Sequence, residues 1–148
     1  MIYLVSLIVL IIDQITKILI LNEMVTPRTI EVLPCLNLIL AYNTGVSFSM
    51  FSNNSPYILS AFALVVCAGL AWWMKSEQDK LTRIGLSLII GGAISNVIDR
   101  FLYGAVIDFL DFYVGSYHWP TFNIADSAIC IGAFLICLKS VFLKREKK

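Results

Sequence analysis

Two aspartates in the second half of the chain, Asp108 and Asp126, have the side chains best suited to acid–base chemistry. Asp108 stands between Ile107 and Phe109, and a carboxylate among apolar neighbours is costly unless it is paired, protonated or used. Asp126 follows Asn123, so on local grounds it is an ordinary acid near a helix N-terminus. Two carboxylates that lie close together share one proton, which leaves one as general base and the other as general acid.

The composition places these aspartates in a membrane protein. Of the 148 residues, 59% are hydrophobic and 14% are charged, and the mean hydropathy is +0.84. A soluble domain has about a quarter of its residues charged, so much of this surface must face lipid. The sequence predicts no nucleic-acid partner, because it has no basic run with interleaved aromatic residues.

Four stretches are long enough to cross a hydrocarbon core, which takes about 20 apolar residues in a helix. They cover approximately residues 2–21, 57–74, 81–98 and 124–143. The first carries Asp13 and Lys17 and lacks a basic start and a small-residue cleavage site, so we expect a retained helix rather than a signal peptide. The predicted fold class is a mainly α integral membrane protein, with residues 1–148 forming one membrane domain.

Basic residues in the connections predict the orientation of the helices. Three lie in the segment 75–83 and five in the segment 139–148, whereas the two long connections hold one each, Arg28 and Arg100. The positive-inside rule then places both termini in the cytoplasm. The loop 75–80 and the tail 144–148 are predicted to be cytoplasmic, and the connections 22–56 and 99–123 are predicted to lie outside.

The first outer connection has the composition of strands. From Thr29 to Phe48 it is rich in Ile, Val, Leu and Tyr, interrupted by Pro34 and by Asn43-Thr44-Gly45. Such β-branched content with turn signals predicts short strands in a small curved sheet. In the second outer connection, four aromatic residues are typical of a membrane interface: Tyr113, Tyr117, Trp119 and Phe122.

The cysteine and histidine pattern predicts neither a metal site nor a disulfide framework. Three of the four cysteines fall in apolar stretches, and Cys35 lies alone in a polar segment with no assigned role. The single histidine, His118, has no companion at metal-ligand spacing.

Asp13 and Lys17 are four residues apart in the first span, so they share a helix face and can pair. An ionisable group at the centre of a bilayer costs roughly 2.5–3.5 kcal/mol on insertion scales. One interpretation is that the pair faces the bundle and ties helices together. The other is that it contacts a substrate directly.

Polar residues also gather at the end of the third span, where Asn96, Asp99 and Arg100 lie within about one helical turn. An aspartate–arginine pair at a helix end is usually a structural anchor, although a role in a site stays open. Three roles stay open for the amides of Asn43, Asn96 and Asn123. They hold a substrate backbone, they orient the two acids, or they make structural hydrogen bonds only.

Five polar motifs follow one another along the four spans and their outer connections. They are Asp13-Gln14-Ile15-Thr16-Lys17, Asn43-Thr44-Gly45-Val46-Ser47-Phe48, Gly91-Gly92-Ala93-Ile94-Ser95-Asn96-Val97-Ile98-Asp99-Arg100, Val106-Ile107-Asp108-Phe109-Leu110-Asp111-Phe112 and Phe122-Asn123-Ile124-Ala125-Asp126-Ser127. Through these motifs the whole chain resembles the prolipoprotein signal peptidase family, also called signal peptidase II. Family members more often have two alanines at Val46-Ser47, a departure that affects no catalytic position.

The resemblance implies an aspartyl endopeptidase of the bacterial inner (plasma) membrane that removes the signal peptide from diacylglyceryl-modified prolipoproteins, cleaving before the lipidated cysteine. It implies four transmembrane helices, a small extracytoplasmic β-cradle and a short surface helix. The implied partners are the lipidated substrate and membrane lipid; no cofactor is implied, and we expect a monomer. The matching positions are Asp108 and Asp126 for catalysis, Asn43, Gly45, Asn96, Asp99, Arg100 and Asn123 around them for substrate binding or orientation, and Asp13 and Lys17 as a further polar pair.

Within the pair, Asp126 is predicted to be the ionised base, because a helix N-terminus favours its charge. Asp108 is then the acid, and Asp111 is the next candidate if Asp108 proves dispensable. Two other classes of function stay open. A proton-coupled transporter with Asp13 as its proton carrier predicts proton-driven efflux. A non-catalytic lipid-binding scaffold predicts that changing either aspartate to asparagine is harmless.

Overall fold

A computed structural model describes residues 2–26, 28–45 and 56–146, with side chains described from residue 3 to residue 141 of these ranges. The helices are α1 (Ile2–Glu23), α2 (Pro56–Ser76), α3 (Lys80–Tyr103) and α4 (Ile124–Glu146). The strands are β1 (Ile30–Leu33), β2 (Leu36–Asn43), β3 (Val106–Val114) and β4 (Tyr117–His118). All four helices are long and apolar enough to cross a membrane. The predicted fold class, four apolar helices with a small sheet, is confirmed.

Helix α3 forms the centre of the bundle. Half of its apolar stretch is buried, against 22% or less in the other three helices, and α1, α2 and α4 each pack on it. It begins after Asp79, whose carboxylate accepts the Thr82 N–H at 2.8 Å as a helix cap. The other helices turn large apolar side chains outward, as expected for surfaces that face lipid.

Glycines permit close helix contact along α3. A Cβ atom added at Gly91 would lie 2.6 Å from the Ser6 carbonyl oxygen of α1, and one added at Gly92 would lie 2.5 Å from the Ala125 carbonyl oxygen of α4. Small residues at helix crossings let backbones approach closely in membranes. These glycines therefore bring α1 and α4 against the polar stretch of α3.

Replacing Gly92 with alanine is expected to destabilise the protein by about 1–3 kcal/mol, the usual cost of overpacking. The added methyl group would push α4 away from α3. A lower midpoint of thermal unfolding in detergent, relative to the wild type, measures this effect. The matched control is Gly69→Ala on α2, where a Cβ atom meets nothing within 4 Å. Equal unfolding midpoints for the two variants would contradict the expected crowding.

The four strands form one antiparallel sheet in the order β1-β2-β3-β4. Strands β2 and β3 pair over most of their length, with Ala41 opposite Asp108, and the register shifts between Leu38 and Ala41. The sheet packs on the end of α1 through Ile20, Met24 and Phe109. It therefore lies at the end of the bundle where α1 and α3 finish and α2 and α4 begin, here called the sheet end.

Half of the sheet was not predicted. The expected strands between residues 29 and 48 appear as β1 and β2, although residues 46–48 lie outside the described part of the chain. Strands β3 and β4 come from the second connection, where only interfacial aromatics were expected. The run Val106–Val114 is rich in β-branched and aromatic residues, and Gly115 follows it with a φ of 62°. That pattern could have indicated a hairpin.

Helix α3 continues to Tyr103, beyond its expected end at residue 98. Asp99 and Arg100 do not stop the helix, because both are buried and bonded inside the bundle. It ends at Gly104, whose φ of 72° and N–H bond to the Arg100 carbonyl form a left-handed cap. The short surface helix implied by the resemblance is not found within residues 2–26, 28–45 and 56–146.

Candidate active site

Asp108 lies in β3 at the sheet end and is only 2% exposed. Each of its carboxylate oxygens accepts a hydrogen bond from an asparagine amide. Asn43 Nδ2 donates to Oδ2 at 2.9 Å, and Asn123 Nδ2 donates to Oδ1 at 2.7 Å. Asn43 is at the end of β2 and Asn123 directly precedes α4, so three elements fix this carboxylate.

Asp126 lies in the first turn of α4 and is partly exposed. Its backbone N–H donates to Asn123 Oδ1 at 2.8 Å, which confirms the predicted cap. Its side chain accepts a hydrogen bond from Asn96 Nδ2 of α3 at 2.8 Å. Asn123 therefore joins the two aspartates, because it caps the backbone of one and donates to the carboxylate of the other.

The three asparagines are held so that their NH₂ groups face the aspartates. Each amide oxygen accepts a hydrogen bond from a group that only donates, at 2.8–3.0 Å. An amide whose oxygen is occupied in this way must direct its NH₂ group to the other side. The pairs are Gly45 N–H to Asn43, the Lys17 ammonium to Asn96, and Asp126 N–H to Asn123.

Burial raises the pKa of Asp108 from its ordinary value to about 7. The charge of Asp126 acts in the same direction, while the hydrogen bonds from Asn43 and Asn123 oppose it. A carboxyl group of this kind retains its proton up to neutral pH. The geometry therefore joins a carboxyl that can hold a proton to a second carboxylate on α4, as acid–base chemistry requires.

Arg100 lies beside this pair and is 8% exposed. Its Nη2 donates to the Gly45 carbonyl oxygen at 2.8 Å, and its Nη1 donates to the Asn96 carbonyl oxygen at 3.4 Å. Its Nε is buried and has no hydrogen-bond partner among the described residues. Arg100 thus holds the segment after β2 against α3.

A buried group of charged side chains lies next to the two aspartates Asp108 and Asp126. It consists of Asp13, Lys17 and Asp99. Lys17 Nζ lies 2.6 Å from an oxygen of each carboxylate, and none of the three side chains is more than 1% exposed. The Asp13–Lys17 pair therefore faces the inside of the bundle. Gln14 and Ser95, which were not selected as site residues, complete the group by hydrogen-bonding to Asp99 and Asp13 at 2.8 and 2.7 Å.

The structure brings together all ten residues that the sequence singled out for the site, through direct contacts or one intermediate side chain. Ser95 was the main omission. Its spacing four residues before Asp99 places both side chains on one face of α3, and this spacing was a usable signal.

Asp111, the alternative candidate acid, belongs to a separate cluster. Its carboxylate lies 2.8 Å and 3.0 Å from His118 Nδ1 and accepts the Asn37 amide at 3.0 Å. Burial raises the pKa of Asp111, but the hydrogen bonds from His118 and Asn37 outweigh that effect and lower it overall. Asp111 is therefore bonded to neighbours of its own on β2 and β4 rather than to Asp126.

Known proteins resemble this chain over most of its length. A family model described as signal peptidase (SPase) II matches residues 5–142. The chain belongs to the signal peptidase II family. It is 43% identical to the lipoprotein signal peptidase of Vibrio cholerae serotype O1, over 95% of this chain and 86% of the relative. It is 41% identical to that of Alteromonas mediterranea, over 97% and 81% of the two chains.

Two solved structures share the fold. Both are described as bacterial membrane enzymes. The first aligns with a TM-score of 0.90 and 31% identity over 98% of this chain and 90% of that chain. The second aligns with a TM-score of 0.81 and 32% identity over 92% and 89%. The resemblance inferred from the five motifs is thus confirmed, and this member of the signal peptidase II family has a bundle and sheet in common with known membrane enzymes.

Proposed function

We propose that the chain is an aspartyl endopeptidase that removes the signal peptide from diacylglyceryl-modified prolipoproteins, cleaving before the lipidated cysteine. The observation that carries the proposal is the junction at Asn123, which bonds to the Asp126 backbone and to the Asp108 carboxylate. The relatives named lipoprotein signal peptidase supply the substrate class.

In the proposed reaction, Asp126 is the base and Asp108 is the acid. Asp126 takes a proton from water, whose oxygen forms a bond to the scissile carbonyl carbon while Asp108 donates its proton to the carbonyl oxygen. The carbon–nitrogen bond then breaks, with Asp126 returning its proton to the departing amine and Asp108 recovering the proton of the hydroxyl. Two features support this assignment: the raised pKa of Asp108, and the position of Asp126 in the first turn of α4.

The sheet end faces the outside of the cell in this proposal. The basic residues of the segments 75–83 and 139–146 support that orientation, because they lie at the opposite end of the bundle. The acyl chains of the substrate stay in the bilayer beside the apolar helix faces. Their binding energy holds the cysteine at a fixed depth and so brings the scissile bond to the aspartates.

Arg100 and Gly45 hold Asn43 in place beside Asp108. The guanidinium fixes the Gly45 carbonyl at 2.8 Å, and Gly45 in turn fixes Asn43 through its N–H. These bonds orient the Asn43 amide toward Asp108. In this scheme Asn43, Gly45 and Arg100 act by orientation.

The charged group inside the bundle favours the proposed peptidase over a proton-coupled transporter. A proton carrier needs an acid without a cationic neighbour near the middle of the membrane. Asp13 has Lys17 at 2.6 Å and is fully buried. No feature of the described residues favours the transporter.

The cleavage rate is expected to fall as the pH rises above about 7, the value to which burial raises the pKa of Asp108. The acid must be protonated, so the rate follows the protonated fraction, which decreases with rising pH. The hydrogen bond from Asn43 lowers that pKa, so Asn43→Ala should move the alkaline limb of the pH profile to higher pH.

The control for the pH prediction is Tyr42→Phe, which removes the hydroxyl group of the exposed residue next to Asn43 on β2 and leaves the Asn43 amide in place. Its alkaline limb should coincide with that of the wild type. A limb in Asn43→Ala that moves to lower pH would contradict the role given to Asp108 as the acid.

The substrate assignment is tested by intact-mass analysis of the product from a diacylglyceryl-modified precursor. The expected product begins at the lipidated cysteine, and the same precursor without the lipid should not be cut. Cleavage at another peptide bond, or equal cleavage of the unmodified precursor, would refute this assignment.

A further inference from the structure

Each of the two aspartates is preceded by a residue whose backbone N–H is held by a buried carboxylate. Ile107 N–H, just before Asp108, donates to Asp99 Oδ2 at 3.1 Å. Ala125 N–H, just before Asp126, donates to Asp13 Oδ1 at 2.7 Å. The same type of contact therefore anchors the start of β3 to α3 and the start of α4 to α1.

Lys17 joins the two anchoring carboxylates. Its Nζ lies 2.6 Å from Asp13 Oδ2 and 2.6 Å from Asp99 Oδ2. Its third contact is with Asn96 Oδ1 at 2.9 Å, and Asn96 donates to the Asp126 carboxylate. One ammonium group thus connects the anchor of Ile107, the anchor of Ala125 and the amide that faces Asp126.

We propose that Asp13, Lys17 and Asp99, here called the lysine bridge, are positioning residues that set the separation of Asp108 and Asp126. This inference rests on the proposed function, in which the two aspartates share a proton. The aspartates come from different elements, β3 and α4. The lysine bridge ties the two backbones together at the residues immediately before them.

Stability alone does not account for a buried group of this kind. Removing three charges from water is expensive, and buried ion pairs are often no more stabilising than apolar side chains of similar volume. The remaining hydrogen-bonding capacity of Asp13 and Asp99 is directed to specific backbone groups, Ala125 N–H and Ile107 N–H. The arrangement favours one geometry of the two backbones.

A shift in the separation of the aspartates has a specific kinetic signature. Two carboxylates that interact titrate in two steps, and the gap between the steps grows as the carboxylates approach each other. The pH profile of kcat/KM reports that gap as the width of a bell. Loosening the lysine bridge should therefore lower kcat and, between variants of equal charge such as Asp99→Asn and Asp99→Ala, narrow the bell. Equal charge is needed because the Lys17 charge itself lowers the pKa of Asp108.

The test variant is Lys17→Met combined with Asp13→Asn, which removes one cation and one anion together. The introduced asparagine keeps an oxygen for Ala125 N–H, and its NH₂ group faces the Ser95 hydroxyl that now bonds to Asp13. The double variant should fold, bind substrate with an unchanged KM, and lose about 100-fold in kcat, the cost of a misplacement of about 1 Å.

The matched control is Ser87→Ala, which removes a fully buried hydroxyl of α3 that bonds to the Arg83 carbonyl oxygen at 2.8 Å. It lowers stability without touching the lysine bridge, so per folded molecule its kcat and bell width should equal those of the wild type. A double variant that behaves like this control would overturn the inference. Loss of the wild-type bell itself, or full activity of Asp108→Asn, would instead overturn the proposed function.

A second pair of variants decides the question if the double variant does not fold. Asp99→Asn keeps an oxygen for Ile107 N–H, whereas Asp99→Ala removes it. Per folded molecule, Asp99→Asn should retain a kcat at least about ten-fold above that of Asp99→Ala, which loses the anchor and misplaces Asp108. Equal kcat values for the two would overturn the inference.

Discussion

Asp108→Asn is expected to stop cleavage of a diacylglyceryl-modified precursor, with a loss of at least about 1,000-fold in rate, within the range of roughly 10²–10⁴ that general acid–base groups contribute. The asparagine has nearly the same shape and its oxygen can still accept a hydrogen bond from the Asn123 amide, so the protein should remain folded. The amide has no acidic proton that it could transfer to the scissile carbonyl oxygen at neutral pH. The rate is measured by gel shift in detergent, with circular dichroism as the check on folding.

The matched control for this prediction is Asp111→Asn, three residues further along β3. Asp111 is 5% exposed and bonds to Asn37 and His118 rather than to Asp126. This variant should keep cleavage close to the wild-type rate. The opposite result, an inactive Asp111→Asn and an active Asp108→Asn, would transfer the acid role to Asp111.

Asn123→Ala is expected to reduce kcat by about 100-fold, comparable to the effect of misplacing a reacting group by about 1 Å. The change removes the amide that donates to Asp108 Oδ1 at 2.7 Å and the oxygen that caps Asp126 N–H. Loss of the cap alone should destabilise the protein by about 1 kcal/mol. The readouts are kcat of the folded protein and the midpoint of thermal unfolding.

Asn37→Ala provides the control, since it also removes a mostly buried asparagine that donates to an aspartate of β3. Asn37 donates its hydrogen bond to Asp111 rather than to Asp108, so loss of the Asn37 amide should lower stability and leave kcat near the wild-type value. The proposed junction at Asn123 would be wrong if both alanine variants lowered kcat equally.

The helices were predictable because lipid imposes simple demands on composition and length. Apolar runs of about 20 residues identified all four, since each backbone polar group in the bilayer must be satisfied within its own helix. The end of α3 was not predictable from the same rule. Asp99 and Arg100 look like the end of a membrane span, but they bond to partners on α1 and in the segment after β2 inside the bundle.

The sheet was less predictable than the helices. Pairing of β2 with β3 joins segments that are far apart in sequence. The bonded residues Asn37 and Asp111, for example, are separated by 74 positions along the chain. The β-branched and aromatic residues of 30–33, 36–43 and 106–114 indicate strands from local pattern alone. It gives no register, and the register is what places Asp108 opposite Ala41 and within reach of Asn43.

The site divides in a similar way. The cap of Asp126 by Asn123 and the pairing of Asp13 with Lys17 follow from spacings of three and four residues, and both are present. Contacts that depend on helix crossings could not be derived, among them Lys17 with Asp99 and Asn96 with Asp126. Those contacts require the close approach of α1 and α4 to α3 at Gly91 and Gly92.

The central claim is that Asp108 and Asp126 together cleave a lipidated precursor. The most direct measurement is a gel-shift assay of a diacylglyceryl-modified precursor across several pH values, with wild type, Asp108→Asn and Asp126→Asn purified in equal folded amounts. We expect a bell-shaped rate for the wild type, with its alkaline limb near pH 7 as the raised pKa of Asp108 requires, and no cleavage by either variant at any pH. Cleavage by either variant at the wild-type rate would contradict the account.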